Sequence, residues 1–458
     1  MKHYSLEQLA GAMSGALPAG GGELIVSTGV GTDTRKVESG SLFFALKGEN
    51  FNAHDFLSEA LQEGAVAVVI DEAQRAPEGA PVIVVDDVLS ALQRLAKWYL
   101  KELDLVKIAI TGSNGKTSTK DMVKAVLSER FRVNATLGNL NNHIGLPLTV
   151  LATSETDEVG IFEMGMNHPG EIAPLCEIAP PDLSLITSVG TAHIEHMGSR
   201  EGIAKEKGVV GQALGPDGTL IVPADCDFLD YFQKVTPGKV LVAGEGGEVF
   251  ATEVRPQGNG MAFQLHLPGD VTVAVQLPVT GLHMVSNALL AAACGCCLGL
   301  GPAEIKTGLE KAVLSGGRLR QLESEGVVLI DDTYNANPDS MQAAIRTLAA
   351  LPSSGRRVAC LGAMAELGEH ALSSYEELGR ALAASGVSDL VAVGEETLPL
   401  VEAAKEAVTV RHFSAGEEAA QYLVETIVAG EVILFKGSRS AAMEKVMDAA
   451  FPNPSLRL

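Results

Sequence analysis

Positive charge is what this 458-residue chain is short of: 34 Lys and Arg stand against 57 Asp and Glu, a formal net charge of -23. A field of that sign repels nucleic acid and anionic membrane surfaces, which excludes both as partners. A small anionic substrate is not excluded, because Lys, Arg, backbone N–H groups and a divalent metal can reverse the potential within one cleft. Cysteine is also scarce. Its six positions (Cys176, Cys226, Cys294, Cys296, Cys297, Cys360) lack the paired CxxC spacing of a zinc site, and most lie in apolar company such as "AAACGCCLGL", which reads as buried thiols of a reducing compartment, the cytoplasm. No apolar run approaches 18 residues, so no membrane span is expected. Glu7 and Gln8 break what would have to be the apolar stretch of a signal peptide, and Ser5 followed by Gln8 reads instead as a capping box opening a helix. Neither a solenoid-length repeat nor a low-complexity tract occurs.

What is present, 46% apolar and 20% charged residues, describes a folded globular chain of about three domains. Residues 1–85 alternate β-type runs ("GELIVSTGV", "SLFFAL", "AVAVVI", "PVIVV") with helical stretches and predict a small α/β domain. Residues 86–314 carry buried-strand candidates ("VKIAIT", "VGIFEM", "LSLITSV", "TLIVPA", "KVLVAG") separated by helices, the pattern of a parallel sheet covered on both faces. Between 248 and 278 polar and apolar residues alternate around "GNG" and "PGD", which predicts added antiparallel strands. "LSGGRLRQLE" reads as the linker to a third domain, 315–458, whose strands "VVLIDD", "RRVACLG", "DLVAVG" and "EVILFKG" predict a Rossmann-like fold. The fold class is therefore α/β, with a P-loop domain at its centre.

The sharpest motif is Thr111-Gly112-Ser113-Asn114-Gly115-Lys116-Thr117-Ser118, set between a strand and a helix. Small residues there let backbone N–H groups approach phosphate oxygens, with the helix dipole behind them. Lys116 would reach the β- and γ-phosphates and Thr117 would hold Mg²⁺. The strict consensus has Gly five residues before Gly115, where this chain has Ile110. Glu163, His193 and Lys207 follow apolar strands in the same domain, where strand ends line a ligand crevice; scattered over some forty residues, they are otherwise ordinary polar surface. His196 would share a helical face with His193. The loop "TLGNLNNHIGLP" offers Asn139, Asn141 and Asn142 either to a sugar or pyrophosphate or merely to a turn. Asp331 and Asp332 can accept ribose hydroxyls or solvate a strand end, and Asn337-Pro338 opens a helix.

In order, "TGSNGKTST", "EMGMNHPGEI", "TSVGTAHIEHMG", "GLHMVSNALLAAA", "GRLR" and "DDTYNANPDSM" make the chain resemble the Mur ligase family of ATP-dependent amide-forming enzymes over nearly its whole length. With "DTRKVESGSLFFALKGENFNAHDF" and "LGAMAELGEH", the resemblance is to the branch that joins D-alanyl-D-alanine to UDP-N-acetylmuramoyl-tripeptide in peptidoglycan precursor synthesis. It implies an acyl-phosphate mechanism with ATP as substrate and two Mg²⁺ ions, in a cytoplasmic monomer. Thr117, Glu163 and His193 would serve the metals; Lys207 falls where related ligases carry a carbamylated lysine. His283 and Asn287 would meet adenine, although Met284 stands where the family often has Asn. Arg318 would reach the phosphates and Asp332, with Asn335, the ribose. Asp33, Thr34, Arg35, Lys47, Asn50 and His54, with the three loop asparagines, would hold the UDP-sugar, and Asn337 and Arg439 the amine. A sister ligase adding another amine and a folyl-polyglutamate-type ligase stand as alternatives, against which "DDTYNANPDSM" and the segment from "DTR" to "GENFNAHDF" argue, as does a P-loop switch protein, against which Glu163, His193 and Lys207 argue together.

Overall fold

The computed structural model describes residues 3–18, 20–48 and 50–456; Glu49 of the "ALKGENFNAHDF" motif lies outside them. Residues up to 84 form a parallel four-stranded sheet, in the order Val30–Gly31, Leu42–Phe44, Ala67–Ile70, Val82–Val84. Ahead of it comes the helix Leu6–Met13, whose capping box is formed by Ser5 and Gln8. The helix Val88–Lys101, capped by Asp87, buries Leu92, Leu95, Ala96 and Tyr99 on one stripe. That stripe packs on Leu6, Leu9 and Met13 on one side and on Leu146, Phe162 and Ile172 on the other, so a continuous apolar core joins the first unit to the next.

The second unit is a six-stranded, wholly parallel sheet in the order Lys239–Ala243, Thr219–Pro223, Leu183–Ile186, Val106–Thr111, Val159–Glu163, Val133–Ala135. Its strands are apolar on both faces because helices cover both. The helix Leu282–Cys297 is apolar nearly all round, and Ala288 to Cys294 are buried against the sheet and against the helix Lys116–Leu127. The predicted antiparallel strands are present as Phe250–Gln257, Gly260–Leu267 and Val271–Leu277. All six cysteines are free thiols; Cys176, Cys294 and Cys360 are buried, whereas Cys297, at the last turn of its helix, is exposed.

The third unit is a seven-stranded sheet in the order Thr409–Phe413, Asp389–Val393, Arg357–Leu361, Val432–Lys436, Val327–Asp332, Arg320–Ser324, Ser455–Leu456. Its first five strands are parallel and Arg320–Ser324 is antiparallel to both neighbours. Residues read from sequence as the end of a linker thus form a strand, because Arg320 to Ser324 pair with Val327–Asp332 on one side and with the tail strand on the other. The segment before it is tied down: Ser315 donates its backbone N–H and its hydroxyl to Asp121 Oδ2, both at 2.8 Å, on the helix Lys116–Leu127. No helix among the described residues is long and apolar enough to cross a membrane.

Candidate active site

Strands of the second and third sheets turn their carboxyl ends toward one cavity of about 870 Å³. The P-loop forms one wall. Its strand runs to Thr111, so Ile110 is a buried strand residue and the turn begins at Gly112, two residues after the consensus glycine position. Close approach then requires glycine: a Cβ on Gly112 would lie 1.9 Å from Thr187 Oγ1, and one on Gly115, at φ +81°, 2.7 Å from Asn287 Oδ1. The backbone N–H groups of Ser113 and Asn114 donate to Ser188, which holds the loop on the neighbouring strand end.

Lys116 opens the helix Lys116–Leu127 and donates to Gly112 O at 2.8 Å. Burial pushes its ammonium below the ordinary lysine range, with Glu163 opposing the shift and Arg318 adding to it. Thr117 donates to Glu163 Oε2 at 2.9 Å, and Asn141 Nδ2 donates to the other carboxylate oxygen at 2.8 Å. Glu163 ends the strand Val159–Glu163 and is 1% exposed, its backbone N–H held by Thr136 Oγ1. From across the cavity Arg318 Nη2 donates to Thr117 Oγ1 at 3.1 Å, its guanidinium 3.8 Å from the Tyr334 ring centroid.

His193 precedes the short helix Ile194–Met197 at φ +62° and hydrogen-bonds through Nδ1 to Glu366 of the third unit. Burial lowers its pKa, with the Glu366 carboxylate opposing. His196 stacks on His168, ring centroids 4.4 Å apart. Lys207, on the helix Arg200–Gln212, is 1% exposed and does not line the cavity. Burial, with the Lys116 charge in addition, holds its amine well below the lysine range. Its neighbour Glu206 is occupied in accepting the backbone N–H groups of Gly170 and Ile172.

Opposite, Asp332 and Lys436 end adjacent parallel strands in register and pair at 2.6 Å. Burial raises the Asp332 pKa against the pull of Lys436, which also donates to Asn335 O. His283 and Asn287 line the cavity; burial, then the Lys436 and Arg346 charges, push the His283 pKa down to about 4. Met284, the departure from the family pattern, is buried with its sulfur 3.6 Å from Asn287 Nδ2, so a thioether takes the hydrogen bond an amide would otherwise offer to accept.

Of the remaining sequence-derived residues, the asparagine loop divides. Asn139 is exposed at the rim, Asn141 meets Glu163, and Asn142 Oδ1 accepts from Ile144 N and Gly145 N at the start of a helix. Asn337 caps the helix Pro338–Ala350, and its Nδ2 donates to Asn114 Oδ1 at 2.8 Å, so both ends of its amide are engaged. Arg439 lines the cavity, largely exposed, and pairs with Glu444. Thr111 ends the strand that leads into the P-loop, Gly112 opens the turn, and Ser118, in the first turn of the helix that follows, is on the cavity wall.

The N-terminal set lies off this cavity. Asp33 caps a 3₁₀ turn, Thr34–Lys36, and grips Arg35 through two hydrogen bonds of 2.8 and 2.7 Å, which lowers its pKa to about 2. Lys47 bridges Asp71 and Glu72 at 2.8 and 2.9 Å, with the buried His54 ring 3.2 Å from Asp71, while Asn50 is exposed on a bend. Sequence reasoning overlooked Lys436, Tyr334, Asp339, Glu366 and Asp71. Lys436 and Asp71 did carry a signal, a charge at the end of an apolar strand run; the other three are placed only by tertiary contacts.

Against known proteins, three family models match in succession: "Mur ligase family, catalytic domain" at residues 26–99, "Mur ligase middle domain" at 110–295 and "Mur ligase, glutamate ligase domain" at 317–439. The UDP-N-acetylmuramoyl-tripeptide--D-alanyl-D-alanine ligase of Bacillus subtilis is 37% identical over 455 residues, covering 98% of this chain and 99% of that protein. A crystal structure of MurF from Acinetobacter baumannii superimposes with a TM-score of 0.91 at 34% identity, over 98% of this chain and 99% of that one. MurF ligase from Thermotoga maritima in complex with ADP gives 0.83 at 28% identity, over 93% and 97%.

Proposed function

This chain belongs to the Mur ligase family, and on that premise we propose that it joins D-alanyl-D-alanine to UDP-N-acetylmuramoyl-tripeptide with hydrolysis of ATP to ADP and phosphate, giving the UDP-linked pentapeptide of peptidoglycan synthesis. The near-full-length identity to relatives of that name carries the choice among amines. The observation that carries the chemistry is the convergence on Thr117 Oγ1 of the Glu163 carboxylate from one sheet and the Arg318 guanidinium from the other.

A carboxylate approaching the γ-phosphate of ATP meets a polyanion, and the site must first offset that repulsion. Lys116 and Arg318, with the N–H groups of the P-loop, supply fixed positive charge there. The substrate carboxylate oxygen bonds to the γ-phosphorus as the bond to the β-bridging oxygen breaks, releasing ADP and leaving an acyl phosphate. The amine of D-alanyl-D-alanine then adds to the acyl carbon; the tetrahedral adduct loses a proton and expels phosphate, leaving the amide. Closure of the third unit over the cavity keeps water from the acyl phosphate.

Hard oxygen donors suit Mg²⁺, and the hydroxyl–carboxylate pair of Thr117 and Glu163 beside the P-loop fits one ion, with His193 serving a second. When bound, these ions would supply further charge neutralisation at the phosphates. Lys207 fits carbamylation: burial disfavours its ammonium form, and it is the free amine that adds to CO₂. Asn287 and His283 are assigned to adenine, Asp332 and Asn335 to ribose, the Asp33 to Arg35 and Lys47 to His54 segments with the asparagine loop to the UDP-sugar, and Arg439 to the amine. Asn337 is better read as an interdomain contact. Domain limits near 85 and 314, a cytoplasmic location and a monomeric state complete the reading.

Phosphate release and product mass, measured with each of Mg·ATP, UDP-tripeptide and D-alanyl-D-alanine omitted in turn, test it. Pentapeptide should form only with all three present and vanish in Lys116→Ala. Phosphate without pentapeptide would overturn the acceptor assignment.

A further inference from the structure

The segment Leu361 to Gly368 of the "LGAMAELGEH" motif is assigned to neither nucleotide nor sugar, yet here the third unit meets the second beside the reacting groups. Met364 and Leu367 are buried and anchor it, and Met364 N donates to Tyr375 Oη at 2.8 Å. One residue beyond, a Cβ on Gly368 would lie 2.9 Å from Glu195 Cγ, so the segment is seated against the helix that follows His193. Between these anchors Glu366 adopts φ +59°, opposite His193 at φ +62°, and its carboxylate accepts from His193 Nδ1. Two non-glycine residues in the left-handed region thus face each other across the interface, and such backbone persists where surrounding structure enforces it.

We propose that Glu366 is a positioning residue for His193. Its carboxylate holds the imidazole as the Nδ1–H tautomer and leaves the Nε2 lone pair for a cation, the arrangement in which an imidazole ligand is oriented from its far nitrogen. Because Glu366 belongs to the third unit and His193 to the second, separation of the two breaks the contact, and closure and preparation of the imidazole are a single event. The inference rests on the reading of His193 as a metal ligand.

Its test uses the full chain with a non-hydrolysable ATP analogue. Mn²⁺ binding is followed by electron paramagnetic resonance in wild type, Glu366→Gln, Glu366→Gly and His193→Ala, and the His193 tautomer by ¹⁵N NMR without metal. Glycine is at ease at φ +59°, so Glu366→Gly removes the carboxylate without straining the loop. It should lower affinity for the weaker Mn²⁺ by about 10–100-fold and shift His193 toward Nε2–H. Glu366→Gln keeps an accepting carbonyl and should preserve both readouts. Wild-type Mn²⁺ affinity in Glu366→Gly together with loss in His193→Ala would overturn the positioning role. Unchanged affinity in His193→Ala would overturn the ligand reading and this inference with it. If Glu366→Gly melts early, the wild-type tautomer decides, and Nε2–H there refutes the proposal.

Discussion

Gly190→Ala isolates the polar lock between the second and third units. Asp339, in the first turn of the helix Pro338–Ala350, accepts the backbone N–H of Thr191 at 2.8 Å and its hydroxyl at 3.0 Å. A Cβ on Gly190 would lie 2.3 Å from Asp339 Oδ2 and 3.1 Å from Cγ, while its next neighbour, Ser113 Cβ, is at an ordinary 3.5 Å. The methyl must therefore displace the carboxylate and break both hydrogen bonds. Bonds to a charged group contribute about 1.5–3 kcal/mol each when buried, and this pair is solvent-accessible, so about 2 kcal/mol in total is a reasonable loss, roughly 30-fold in the closed-to-open ratio. Small-angle scattering with ADP should show the compact fraction falling accordingly, with the melting temperature nearly unchanged because neither core is touched. The decisive comparison is the double-mutant cycle: in an Asp339→Ala background, Gly190→Ala should cost almost nothing more. Equal costs in both backgrounds would refute the reasoning.

Lys436 is buried and its partner Asp332 is only partly so, on the cavity wall, so Lys436→Met, which strands the carboxylate, should destabilise the chain by up to about 3 kcal/mol in urea unfolding, and the further change Asp332→Leu should restore much of that. His283 takes up a proton near pH 4 when folded and near 6.5 when unfolded, so its contribution is complete above pH 6.5 and lost as pH falls toward 4; it is worth up to about 3 kcal/mol, less whatever its solvent contact screens. His283→Gln should flatten the stability profile across that window. Labelling with ¹³C-bicarbonate should give a carbamate carbon signal in wild type that Lys207→Arg abolishes; a signal persisting in that variant would remove the modification from Lys207.

Local chemistry made much of this legible. Gly115-Lys116-Thr117 after "VKIAIT" is a self-contained device, and Asn337-Pro338 and Ser5 with Gln8 announce helix starts through the bonds they make three residues on. Strand runs such as "VVLIDD" and "EVILFKG" are unmistakable because both faces are buried. Legibility fails where one residue's meaning resides in another far along the chain. Arg318 and Thr117 are 201 positions apart, His193 and Glu366 173, and Arg320–Ser324 is a strand only because the hairpin and tail supply its partners. The asparagine loop looked uniform in composition, yet Asn141 and Asn142 do unrelated things, one holding Glu163 and the other starting a helix.

The tether at Ser315, fixed to Asp121 of the P-loop helix, bears on inhibition. The cavity has its two walls on separate sheets, so its width is set by contacts on the walls, such as the lock at Thr191, and also by the tether, whose residues do not line the cavity. A compound gripping both walls selects one spacing between them. Substitutions at Asp121 or Ser315 would then confer resistance from outside the binding surface, by resetting the gap, while a compound confined to the P-loop wall would escape that route and forgo the selectivity that the second wall provides.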